Sequence, residues 1–160
     1  MSSVSAASAG GLSSMTAAAK PTKPEVPFRG EVMGELTMTP RSEICSGDNL
    51  GVSNATGRAL HMGNMTYHTE QCINPKNGIV TGKVLVLTAA NGDELHGTFA
   101  GQSKPGNVAG QYTVAAKLTF SGGTGRFENA TGTAAMTGEL TLAAGFSFSG
   151  RWEWTGSIRY

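Results

Sequence analysis

The fold is decided by the last fifteen residues, Phe146-Ser147-Phe148-Ser149-Gly150-Arg151-Trp152-Glu153-Trp154-Thr155-Gly156-Ser157-Ile158-Arg159-Tyr160. Phe146, Phe148, Trp152, Trp154, Ile158 and Tyr160 share one parity; Ser147, Ser149, Arg151, Glu153, Thr155, Ser157 and Arg159 share the other. Side chains alternate across a strand, so this pattern gives one apolar and one wet face. On a helix the same residues would be scattered around every side.

Working back from this strand, the same period recurs. Ala130, Ala134, Met136, Leu140 and Leu142 alternate with Asn129, Thr131, Thr133, Thr137, Glu139 and Thr141. Before the glycine-rich string at 121–132, Tyr112, Val114, Ala116, Leu118 and Phe120 alternate with Gln111, Thr113, Lys117 and Thr119. A short strand is expected over Glu94–Gly101, and Asn91-Gly92 ahead of it is a strong hairpin signal. Ile79–Thr88 is apolar on both parities except at Lys83, which predicts a strand covered on both faces, the outer one by another subunit. The run Ala55–Cys72 alternates imperfectly and is expected to bend at Gly63. Arg41–Ser53 reads as a polar loop, and Phe28–Thr39 as a strand with Phe28, Val32, Leu36 and Met38 on its apolar face. Glu31 and Glu35 share its wet face, as a solvated edge would place them.

There are seven such runs, two of them long enough to form two strands each, and the body has no helix-period segment. The expected architecture is all-β and antiparallel, closed as a barrel or folded as a sandwich. Residues 1–25 are expected to be a flexible low-complexity tail or leader remnant, with Ala17-Ala18-Ala19 resembling the small-residue end of a signal peptide. Residues 26–160 form the single domain.

Composition narrows the function classes. Only 14% of residues are charged and the net charge is +1, so the chain lacks the basic clusters that phosphate contacts require and no nucleic-acid partner is expected. No apolar run reaches the ~18–20 residues of a membrane-spanning helix. Cys45 and Cys72 fit no zinc spacing and leave no odd thiol; a disulfide is the favoured pairing, against two buried thiols. A disulfide implies an oxidising compartment, secreted or periplasmic. Gly122-Gly123-Thr124-Gly125 is not followed by Gly-Lys-[Ser/Thr], so it is no phosphate cradle, and no cofactor is expected.

The whole string Gly122-Gly123-Thr124-Gly125-Arg126-Phe127-Glu128-Asn129-Ala130-Thr131-Gly132 resembles a segment shared by dirigent proteins and allene oxide cyclases, Gly-Gly-[Thr/Ser]-Gly-x-Phe-x-x-Ala-x-Gly between two long strands. Ala55-Thr56-Gly57-Arg58, the Gly97-x-Phe99-x-Gly101 strand and the aromatic last strand accompany it. The resemblance implies one closed antiparallel barrel of about eight strands with an apolar lumen, and a homo-oligomer, dimer or trimer. Dirigent proteins carry an aspartate pair on the first strand, where this chain has Glu31 and Glu35 on the wet face. Allene oxide cyclases use a glutamate near the first strand and a cysteine in the pocket, a role that a paired Cys45 or Cys72 does not fill. The fold and the apolar lumen carry over; no catalytic residue does.

The residues expected to line a lumen are Trp152, Trp154, Phe146, Phe148, Tyr112, Phe120, Met136 and Met62, either around one small apolar ligand or as plain core packing. The polar groups expected beside them are Arg58, Asn64 and His68, or alternatively His61 and Tyr67; His68 and Arg58 are the candidates for polarising a substrate. His61 and His68 differ by an odd number, face opposite sides of an unbroken strand, and do not jointly bind a metal there. Three functions follow: a non-catalytic exported barrel binding an apolar small molecule or a partner, a cofactor-free cyclase or isomerase that folds a flexible substrate in the lumen, and a structural or adhesive surface barrel.

Overall fold

The computed structural model describes Gly10 and residues 23–160; the tail expected over residues 1–25 lies largely outside the described residues. The chain forms a closed antiparallel barrel of eight strands in sequential order, each paired with its neighbours and the last with the first. The strands are β1 (Val26–Thr39), β2 (Asn49–Ala59), β3 (Gly63–Ile73), β4 (Ile79–Thr88), β5 (Glu94–Pro105), β6 (Gln111–Gly123), β7 (Thr131–Ala144) and β8 (Ser147–Arg159). Closure leaves no strand edge unpaired.

Alternation sets the two walls. Phe28, Val32 and Leu36 of β1, Leu118 and Phe120 of β6, Ala134 and Met136 of β7, and Trp152, Trp154 and Ile158 of β8 all point inward and are buried. The outer wall carries Arg29, Glu31, Glu35, Arg58, Lys117, Glu139, Arg151 and Glu153, all exposed or half-exposed, the opposite of the apolar band a lipid-facing barrel presents. Glu31 is on this wall, 3.2 Å from Arg151. Among the described residues no helix is long and apolar enough to cross a membrane.

Large inward aromatics fit because glycines face them. A Cβ on Gly30 would sit 2.7 Å from Cε2 of Trp154, and Cβ atoms on Gly138 and Gly150 would sit 2.6 Å from Cδ1 and Cζ2 of Trp152 respectively. Gly82 makes the same space for Phe99. In a barrel this narrow the interior holds side chains only if the facing wall is bare.

Four segments depart from the sequence expectation, the first being β5, which continues to Pro105 where a short strand ending at Gly101 is expected. The run Ala55–Cys72 is not one bent strand: it reverses at Leu60-His61-Met62 into the β2–β3 hairpin, with His61 at φ 67° and Gly63 at φ 68°. The expected loop at Arg41–Ser53 ends early, because β2 begins at Asn49. The two-sided apolar character of β4 has a local cause. The register slips between Gly82 and Leu85, so Val80 and Gly82 face inward on one parity and Leu85 and Leu87 on the other. A bulge inserts an extra residue and shifts the phase of alternation. Val84 and Val86 remain on the outer wall, half-buried, with Ile79 exposed.

One end of the barrel is closed by the glycine-rich string. Gly123 ends β6, Gly125–Phe127 forms a single 3-10 turn, and Ala130 leads into β7. Gly125 has φ 57°, and a Cβ there would collide with the Asp93 carboxylate, which lies 3.7 Å from Nε of Arg126. The Thr124 amide donates to the Glu94 carbonyl at 2.8 Å, and the Thr124 hydroxyl accepts from the Glu94 amide at 2.9 Å. These bonds tie the string to the β4–β5 hairpin and drive Phe127 into the barrel end, where it is fully buried against Tyr160. Met62, Ala89 and Ala130 complete the plug.

Candidate functional site: the open end of the barrel

The opposite end is held differently. The β1–β2 connection makes a 3-10 turn at Glu43–Cys45, and Cys45 is disulfide-bonded to Cys72 near the end of β3, with Cα atoms 5.4 Å apart. Lys83 of β4 reaches the Ile44 carbonyl at 3.4 Å. The loop is thereby strapped to the outer wall beside the opening.

Inside this rim is a pocket of about 380 Å³. Its floor is Leu36, Met38, Ile73, Tyr112, Leu140 and Phe148, with Tyr112 and Phe148 packed edge to face at 5.7 Å. Its rim is Asn49, Asn74, Lys76, Asn77, Gln102 and Lys104, so two lysines and no carboxylate line it. Side-chain bonds shape that rim: Asn74 Oδ1 accepts from the Lys76 amide at 2.9 Å, and Gln102 Nε2 donates to the Asn77 carbonyl at 2.9 Å. Beneath it lies a void of about 30 Å³ that shares Leu36, Ile73, Ser103 and Leu140 with the pocket and adds Tyr67, Gln71, Phe99, Met136 and Trp152. Wider depressions of about 530 and 780 Å³ lie on the outer wall among Lys104, Glu139, Arg151 and Glu153, and among Arg29, Glu31 and Arg58. Both are lined by charged side chains of both signs, whereas no carboxylate lines the pocket at the open end.

Several polar groups face into the barrel. Ser53, Thr69 and Gln71 are buried on β2 and β3; Thr69 Oγ1 donates to Gln71 Oε1 at 2.8 Å, and Gln71 Nε2 reaches Ser53 Oγ at 3.4 Å. Tyr67 stacks on Trp152 and Trp154, and its hydroxyl has Met136 Sδ as acceptor at 3.8 Å. Burial pushes the Tyr67 phenol well above its ordinary pKa, opposed in small part by the Thr69 hydroxyl, so it stays a neutral donor. The indole N–H of Trp154 is buried with no acceptor among the described residues.

The expected lining residues divide accordingly. Trp152, Trp154, Phe120 and Met136 are buried packing in the barrel body, Met62 belongs to the plug, and Phe148 and Tyr112 line the open pocket. Phe146 is corrected: it sits in the β7–β8 turn, 56% exposed, with its carbonyl accepting from the Met38 amide. Arg58, Asn64 and His68 are corrected from the lumen to the outer wall. There His68 Nδ1 donates to Asn54 Oδ1 at 2.8 Å, and its Nε2 lies 3.5 Å from Glu70. His61 is exposed at the closed end, with Nε2 3.0 Å from the Pro27 carbonyl. Of the polar residues named for the lumen, Tyr67 alone is there. The inward row Met65, Tyr67, Thr69, Gln71 is half polar, so apolar patterning alone leaves the two parities of this run undecided. Among the described residues no cluster of three or more His, Cys, Asp or Glu side chains could hold a metal ion.

Compared with known protein families, with curated proteins and with solved structures, the chain matches none at a significant level.

Proposed function

We propose that this protein is an exported barrel that binds a small amphipathic molecule at its open end without transforming it. The observation that carries this reading is the pocket of about 380 Å³ with an apolar floor and a polar, lysine-bearing rim, the form small-ligand sites take. The non-catalytic part rests on what faces inward. Among the described residues Tyr67 is the one buried titratable side chain of the interior, and its raised pKa leaves it unable to serve as a base near neutral pH. Export is the compartment with which the Cys45–Cys72 bond is compatible. We take the likeness of Gly122–Gly132 to the dirigent and allene oxide cyclase segment as a shared way of closing such a barrel.

The test is titration with 1-anilinonaphthalene-8-sulfonate, whose rings suit the floor and whose sulfonate suits Lys76 and Lys104. Saturable binding at one site is expected, lost in Leu140→Arg at the floor and unchanged in His68→Ala on the outer wall. Binding that survives Leu140→Arg, or no binding by the wild type, would refute the reading.

A further inference from the structure

The void beneath the pocket is bordered by two donors that lack good acceptors. Gln71 is 7% exposed and its Oε1 is occupied by Thr69, while its Nε2 makes a single long bond of 3.4 Å to Ser53. An amide nitrogen carries two N–H groups, so one is uncommitted. Tyr67 is 2% exposed, and its hydroxyl donates to a thioether sulfur, a weak acceptor, at 3.8 Å, while the Thr69 hydroxyl beside it gives its own proton to Gln71. Both residues line the void, as do Trp152 and Phe99. Its volume of about 30 Å³ suffices for one or two water molecules, or for one oxygen atom at the tip of a ligand.

Resting on the reading of the open pocket as a small-molecule site, we propose that Gln71 and Tyr67 form an inner subsite that selects ligands bearing one uncharged hydrogen-bond acceptor, a ketone or ether oxygen, at their buried end. The acceptor character follows from the two donors and from the prior engagement of the Gln71 carbonyl oxygen. The absence of charge follows from burial: no cation borders the void, and a carboxylate placed there would lose its hydration without a counter-ion. Ligand orientation is then fixed. The apolar body lies along Leu36, Ile73, Leu140 and Phe148, the acceptor points down to Tyr67 and Gln71, and any anionic group stays up at Lys76 and Lys104. Gln71 and Tyr67 are specificity-determining residues in this arrangement. A site built to donate a hydrogen bond rejects an analogue that lacks the acceptor, because its buried donors are left unpaired.

The experiment uses 2-nonanone and nonane as a matched pair, with displacement of 1-anilinonaphthalene-8-sulfonate as the readout and the infrared carbonyl stretch of carbonyl-labelled 2-nonanone as a direct probe. Wild-type protein is expected to prefer the ketone roughly tenfold and to lower its carbonyl frequency relative to the ketone in hexane. Gln71→Leu and Tyr67→Phe are expected to weaken ketone binding several-fold, measured against each variant's own affinity for the dye, and to reduce the frequency shift. Equal affinity for ketone and alkane in the wild type overturns the subsite while leaving the open pocket intact, and needs no variant to fold. A frequency shift that survives both substitutions overturns it as well. Failure of the dye to bind at all would remove the pocket reading and the subsite with it.

Discussion

Glycine at position 30 is a packing requirement, and its replacement by alanine tests how the barrel interior is filled. Gly30 lies opposite Trp154 across the β1–β8 pair, and an added methyl would meet the indole at Cε2 at 2.7 Å and the Ala59 Cβ at 2.9 Å, with Cζ2 nearer still. The indole cannot step aside freely. It is stacked on Tyr67 at 6.3 Å, tilted against Phe28 at 6.1 Å, and flanked across the other pair by Met136. Overpacking of a filled core costs about 1–3 kcal/mol. Against this, alanine restricts the unfolded chain and returns roughly 0.4–1 kcal/mol. Steric cost wins, and Gly30→Ala is expected to lose about 1–2 kcal/mol. The cause is separable by a double-mutant cycle. Phenylalanine at 154 lacks the benzo atoms that the methyl strikes, so Gly30→Ala should cost little in a Trp154→Phe background, with a coupling energy of about 1 kcal/mol. Equilibrium urea unfolding followed by far-ultraviolet circular dichroism, with the disulfide oxidised, gives all four corners of the cycle. A Gly30→Ala protein within about 0.5 kcal/mol of wild type, or single effects that add, would refute the view that glycines are bare wall for the tryptophans.

Two further outcomes are expected. Removing the Cys45–Cys72 bond, which closes a loop of 27 residues' separation, should destabilise the barrel by about 3–4 kcal/mol on the chain-entropy model, read as the difference in urea midpoint between the oxidised protein and Cys45→Ser/Cys72→Ser. Alkaline pH should destabilise the fold through Tyr67, whose folded pKa is raised above its ordinary 10.0. The unfolded chain releases that proton first, so stability is full below pH 10 and falls by up to roughly 1.4 kcal/mol per unit above it; Tyr67→Phe should flatten that part of the unfolding free-energy profile.

The legibility of this chain divides along physical lines. β8 was readable residue by residue from Ser147 on, because a strand packed on one side and wet on the other writes its geometry into parity. Phe146 was misplaced by the same logic: it continues the parity by accident, one residue before the strand begins, and parity has no term for where a turn stops. In β4 parity was misleading for a different reason. The slip between Gly82 and Leu85 changes which parity faces inward, and a phase shift of that kind looks, in one dimension, like a strand apolar on both sides. Nothing short of the pairing register distinguishes them.

β2 and β3 hid the most. Their inward residues are Ser53, Ala55, Gly57 and Ala59, then Met65, Tyr67, Thr69 and Gln71, small or polar where a core is expected to be large and apolar. Their outward row includes His68, Arg58 and Asn64, residue types that attract functional attention. Hydrophobicity therefore leaves the two parities of β3 undecided, and it does so where the barrel departs from ordinary core chemistry. Polar groups in an interior are as a rule hydrogen-bonded, since each one left unpaired costs about 1–3 kcal/mol; the Trp154 indole N–H is an exception here. Ser53, Thr69 and Gln71 meet that condition among themselves; the Tyr67 hydroxyl and one Gln71 N–H do not meet it well. The glycine-rich string drew the eye on sequence, yet its bonds to Asp93 and Glu94 serve to seat Phe127 and shut one end. With that end sealed and the middle filled by two tryptophans, the apolar-floored pocket lies at the disulfide-strapped opening, and the underpaired donors lie directly below it. The residues that shut the barrel and the residues that would read a ligand thus lie at different depths, and only the first group carries a sequence motif.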